Sequence, residues 1–113
     1  MDKRIYKYLY DIKESIHSIN DFLGEKRDFN VYLSNKMMRR AVEREFEIIG
    51  EAMNRIIKID SSINISNKSS IMAMRNRVIH GYDKGDDEIV WGTIVRHLPT
   101  LLNEVKTLIN EVV

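Results

Sequence analysis

Two side chains with complementary chemistry stand five residues apart in the segment Met74-Arg75-Asn76-Arg77-Val78-Ile79-His80-Gly81-Tyr82. Arginine carries a fixed positive charge on a planar fork that donates paired hydrogen bonds to a phosphate or carboxylate. Histidine changes protonation near neutral pH and can give or take a proton in a reaction. Asn76 adds a neutral donor and acceptor, and Tyr82 a phenol, within one more turn of chain. Placed on a helical wheel at ~100° per residue, Ile71, Met72, Met74, Val78 and Ile79 form an apolar arc with Arg75 inside it, while Asn76 and His80 share the flank. An arginine among core positions requires an explanation, because a buried unpaired guanidinium costs several kcal/mol. The wheel leaves two open. Arg75 either snorkels or pairs with a carboxylate, for which Glu45 in the preceding helix is the candidate, or it lines a groove that receives an anion. His80 beside Gly81 has an ordinary reading too, as a cation near a helix C-terminus, favourable by about 0.3–1 kcal/mol.

The elements that must position these residues read as helices. The chain has 113 residues, 43% hydrophobic and 31% charged, which predicts one soluble globular domain over residues 1–113. From Ile5 the apolar positions run Ile5, Leu9, Ile12, Ile16, Ile19, Leu23, an amphipathic helix with Gly24 as its C-terminal cap. A polar connector, Glu25 to Asp28, leads to a long second helix reaching Ile59. Its stripe is Met38, Val42, Ile49, Met53, Ile56, with Phe46 at its edge and Gly50 inside it, where close approach by a neighbouring helix is expected. Asp60 to Asn67 reads as a loop, with Ser66 or Asn67 capping a third helix that ends near His80-Gly81. A last stripe, Val90, Ile94, Leu98, Leu101, Val105, Leu108, Val112, contains Pro99, which predicts a helix kinked there or two helices meeting at His97-Leu98. The fold class is therefore all-α: an up-and-down bundle of four to five helices.

Composition also excludes chemistries. There is no cysteine, so disulfides, thiolate zinc sites and thiol nucleophiles are out, and His17, His80 and His97 are too scattered to cluster as metal ligands. No metal site and no cofactor are expected. Net charge is +1, so any nucleic-acid binding must rest on a local patch, for which Lys36, Arg39, Arg40 and Arg44 are weak candidates that read equally well as a solvated helix face. Tyr6, Tyr8 and Tyr10 alternate too closely to share one face and make no stacking platform. No leader sequence or apolar run of membrane-spanning length is evident, so a cytoplasmic location is the default expectation.

The 74–82 segment resembles the Arg-(four residues)-His motif of HEPN ribonucleases, in the form with a tyrosine two residues past the histidine found in the HepT-like family. The resemblance extends to Arg40-Ala41-Val42-Glu43-Arg44 and Glu47-Ile48-Ile49-Gly50-Glu51-Ala52, similar to that family's signature helix, and to Trp91 and the Leu98-Pro99-Leu101 pattern. It covers roughly Asn35 to Leu102. Two departures are the loop before the third helix, which lacks a Pro-Trp pair, and Asp83-Lys84-Gly85, which replaces a more apolar segment. The resemblance implies a HEPN-like bundle and a metal-independent endoribonuclease toxin cutting tRNA or mRNA, with Arg75 and His80 catalytic and Asn76 supporting. It also implies a partner antitoxin, an MntA-type nucleotidyltransferase that transfers AMP to Tyr82. One motif supplies one histidine, and residues five apart on a helix diverge by about 140°. A homodimer that brings two third helices together is therefore expected, as the resemblance also implies. The competing expectation is a non-catalytic accessory subunit that binds a nucleotidyltransferase and presents substrates to it.

Overall fold

Residue 2 already acts as a helix cap. The Asp2 carboxylate accepts from the Arg4 N–H at 2.8 Å and opens α1 (Lys3–Leu23), which closes on Gly24 in the left-handed region at φ 73°. The computed structural model describes residues 1–79 and 86–110, and among these the chain forms six helices. They are α1, α2 (Phe29–Ser34), α3 (Lys36–Ile59), α4 (Lys68–Ile79), α5 (Asp86–Arg96) and α6 (Leu98–Asn110).

The predicted stripe of α1 is the buried one. Ile5, Leu9, Ile12, Ile16 and Ile19 are all essentially inaccessible, each stabilising the fold by roughly 1.5–3 kcal/mol through removal from water. α1 packs on α3, the central helix, which also carries α2 and α4, while α6 packs on α1 and α5 on both α4 and α6. On α3 the buried positions are Val42, Phe46, Ile49, Gly50, Ala52, Met53 and Ile56. Phe46 is thus at the centre of the stripe rather than its edge, and Met38 is only partly buried.

The second helix is not continuous. Asn35 adopts extended backbone (φ −107°, ψ 95°), ends α2 and caps α3 by accepting from the Met38 N–H at 3.0 Å. Asparagine competes with helical backbone through this kind of local bond. The break turns the short α2 so that Tyr32 enters the core, where its ring lies 5.2 Å from that of Trp91, with Phe29 alongside.

At the other end, α5 and α6 meet at His97, the second of the two forms expected around Pro99. The proline occupies the first turn of α6, where its missing N–H removes no intrahelical bond. With the separate α2, this break raises the helix number to six. The loop over 60–67 is held by its own polar groups and by α6: Asp60 accepts from the Ser62 N–H and hydroxyl, and Glu104 of α6 accepts from both the N–H (2.8 Å) and hydroxyl (2.9 Å) of Ser66. The Ser66 hydroxyl is therefore tied to α6 rather than capping α4. Ile63 and Ile65 are buried beneath this loop.

Candidate active site

The candidate site is built where α4 crosses α3. Ile71, Met74 and Val78 face the core, as the wheel predicts, whereas Ile79 is 45% exposed and falls outside the arc. Arg75 sits at the margin of this face, its side chain 24% exposed. Its aliphatic stem lies directly over Gly50 of α3. A Cβ at Gly50 would stand 2.5 Å from Arg75 Cγ and Cδ, well inside contact distance. The close approach expected at Gly50 is therefore to Arg75 itself.

The guanidinium is held from one side. Arg75 donates from one terminal nitrogen to Glu51 Oε2 at 3.2 Å and from the other, more loosely, to Asn76 Oδ1 at 3.4 Å. The second Glu51 oxygen accepts from Arg55 Nε at 3.1 Å, one turn further along α3. Arg75 Nε is buried without a hydrogen-bond partner, a cost normally relieved by some partner. The carboxylate that meets Arg75 is thus Glu51, not Glu45. By periodicity alone Glu45 falls within the apolar arc of α3. The residue that pairs instead follows the glycine over which the arginine crosses, and half of it remains in solvent.

Of the other expected site residues, Asn76 is exposed beside Arg75. His80 and Tyr82 lie outside the described residues. The chain on either side is joined by an ion pair, Arg77 to Asp86 at 2.5 Å. In the basic cluster, Lys36 and Arg40 are exposed, Arg39 donates to the Leu33 carbonyl, and Arg44 pairs with Glu47 at 3.1 Å. Two of its four members are thus engaged within the chain. Among the described residues no group of three histidines, cysteines or carboxylates could hold a metal ion, and no helix is long and apolar enough to cross a membrane.

Comparison with known proteins decides what this arrangement belongs to. The family model described as ribonuclease HepT-like matches residues 12–108, spanning both Arg75 and the α3 segment beneath it. The chain belongs to the HepT-like ribonuclease family. Among its relatives in this family, a chain provisionally named as an RNase from Methanocaldococcus jannaschii is 37% identical over 109 residues, covering 94% of this chain and 98% of its own. The "Probable ribonuclease HepT" of Thermococcus cleftensis is 35% identical over 108 residues, covering 94% and 97%. A second provisionally named RNase from Methanocaldococcus jannaschii is 29% identical over 112 residues, covering 97% and 91%. No solved structure matches the chain. Membership of the HepT-like ribonucleases makes the all-α bundle HEPN-like and places the molecule among RNA-cleaving enzymes.

Sequence reasoning missed Glu51 as the partner of Arg75 and the Arg77–Asp86 pair. The first had a usable signal: Glu51 adjoins Gly50, and a glycine inside a helix marks where a neighbour comes closest.

Proposed function

We propose that this HepT-like protein is a metal-independent endoribonuclease of tRNA or mRNA, working as a homodimer with Arg75 and His80 of both copies around one cleft. The observation that carries the reading is the placement of Arg75. It is held at the α3–α4 crossing by Gly50 and Glu51, part-exposed, and five residues before the histidine. A structural arginine in that place would gain nothing from a histidine at that spacing.

The chemistry follows from RNA itself. The 2′-hydroxyl attacks the adjacent phosphorus and gives its proton to one His80 acting as base. The 5′-oxygen leaves and takes a proton from the other His80, and the 2′,3′-cyclic phosphate remains. Arg75 stabilises the extra negative charge on the phosphorane, a task suited to a guanidinium that two hydrogen bonds can address at once. Asn76, beside Arg75, orients the fork or donates to the same phosphate. One histidine cannot be base and acid on opposite sides of a phosphate, which is the argument for two copies.

The same reading makes the protein the toxin of a toxin–antitoxin pair, silenced by an MntA-type nucleotidyltransferase that transfers AMP to Tyr82. The added phosphate and nucleoside bring negative charge and bulk two residues from His80. The deciding experiment is cleavage of total tRNA and an mRNA by the purified protein with EDTA present, with product ends analysed. Products ending in 2′,3′-cyclic phosphate support the reading. No cleavage by a folded dimer would favour the accessory-subunit alternative.

A further inference from the structure

A groove of about 340 Å³ runs between α1 and α3 beside the candidate site, and Glu51 forms part of its wall. Its chemistry differs from that of a phosphate channel. Lys7 pairs with Asp11 at 3.0 Å, Arg44 with Glu47 at 3.1 Å and Arg55 with Glu51 at 3.1 Å, so the charges lining it cancel. Between these pairs the surface is apolar, made by Ile48 and Ala52, with the half-buried ring of Tyr8 on the α1 side. The Glu51 hydrogen bond, with the Tyr8 phenol close by, raises the Arg55 pKa above its ordinary value, which ties ring, guanidinium and carboxylate into one cluster. The Lys7 ammonium lies 5.2 Å from the Tyr8 ring centroid, on a side chain 72% exposed.

We infer that this groove is a subsite for one unstacked nucleobase of the RNA strand, adjacent to the phosphate held by Arg75. A base is planar, neutral and edged with donors and acceptors, and the groove offers an aromatic ring, an apolar floor, no net charge and paired donors and acceptors at its rim. Its position follows from Glu51, whose two oxygens touch Arg75 and Arg55. The groove therefore begins one carboxylate away from the proposed phosphate position, and a base and its own phosphate are separated by one sugar. A phosphate in the groove would instead have to displace three carboxylates from their partners. The inference rests on the ribonuclease reading and adds a substrate requirement to it: a strand whose base can leave its stack.

The test uses the full chain and an RNA oligonucleotide with a mapped cleavage site, together with copies in which single bases around that site are replaced by abasic sugars. One abasic copy is expected to show a KM roughly 5- to 100-fold above that of the intact strand, the range of base–aromatic stacking. Tyr8→Leu should raise KM on the intact strand toward that same value, with kcat unchanged and no further loss on the abasic copy. Tyr8→Phe keeps the ring and should recover most of the KM lost in Tyr8→Leu. Should Tyr8→Leu not fold, a 4-thiouridine strand cross-linked to wild type decides: a cross-link to the peptide containing Tyr8 supports the subsite, and one elsewhere overturns it. Wild type cutting the intact and all abasic strands alike, or Tyr8→Leu weakening every strand equally, removes the subsite and leaves the ribonuclease reading standing. Wild type cutting no strand removes both.

Discussion

The space that a side chain at Gly50 would fill is occupied by the stem of Arg75. A Cβ there would meet Arg75 Cγ and Cδ at 2.5 Å. These atoms are near the backbone of α4 and cannot swing clear as a terminal group would, so α3 and α4 can cross this closely only with glycine at position 50.

Gly50→Ala should therefore destabilise the protein although alanine is the better helix former. Overpacking costs about 1–3 kcal/mol, against a propensity gain of about 0.5–1 kcal/mol. A lower urea midpoint together with reduced RNA cleavage is expected. A higher midpoint would mean that the crossing is looser than described.

Glu51→Ala removes the carboxylate that holds Arg75, so that one terminal nitrogen joins the already unpartnered Nε in having no protein partner. Misplacing a positioned group by about an ångström can cost on the order of 10²-fold. A fall in kcat of up to that size is expected, with partial recovery in Glu51→Gln, whose amide oxygen can still accept. An unchanged kcat in Glu51→Ala would show that Arg75 does not need this partner.

Much of this architecture was legible in the sequence. The α1 stripe and its Gly24 cap, the loop over 60–67 and the discontinuity at His97-Leu98 all followed from periodicity and from glycine and proline chemistry. The break at Asn35 did not, because apolar residues continue through Phe29 and Tyr32 and one asparagine is a weak punctuation mark; its capping bond to Met38 is visible only in three dimensions. The wheel set Arg75 inside the apolar arc, whereas it lies at the margin of the core face, and the candidate partner Glu45 was the wrong carboxylate. A wheel gives the direction of a side chain along one helix but not the register at which a second helix crosses it, and that register sets Glu51 rather than Glu45 against Arg75. The Phe29, Tyr32 and Trp91 cluster joins residues about 60 apart in the chain and had no local signal.

Tyr32 yields a stability prediction. Its hydroxyl is buried without a partner, and burial, reinforced by the negative charges of Asp87 and Glu43, holds its pKa above the ordinary value near 10. In the unfolded chain the phenol ionises near pH 10 and in the folded chain only above that. The folded protein therefore loses stability as pH rises beyond 10, where only the unfolded phenol can ionise. Tyr32→Phe should stabilise the protein at neutral pH by about 1–3 kcal/mol, the penalty of an unsatisfied buried group, and flatten the alkaline loss. Thermal melts of both proteins between pH 7 and 11 check this, and a destabilised Tyr32→Phe at pH 7 would contradict it.

Tyr82→Phe should cleave RNA like wild type and yet resist silencing by a cognate nucleotidyltransferase. Intact-mass measurement after incubation with that enzyme and ATP should show one added AMP on wild type and none on the variant. Adenylylation and inhibition of the variant to the wild-type extent would place the modification elsewhere.

The most direct test is the catalytic pair itself, measured as cleavage of total tRNA by folded, dimeric wild type, His80→Ala, Arg75→Ala and Arg75→Lys, with EDTA present. His80→Ala should lose about 10²–10⁴-fold. Arg75→Ala should lose on the order of 10²–10³-fold, and Arg75→Lys should recover only part of that, because an ammonium cannot make the paired contact. A His80→Ala protein that stays folded and cuts RNA at the wild-type rate would contradict the account.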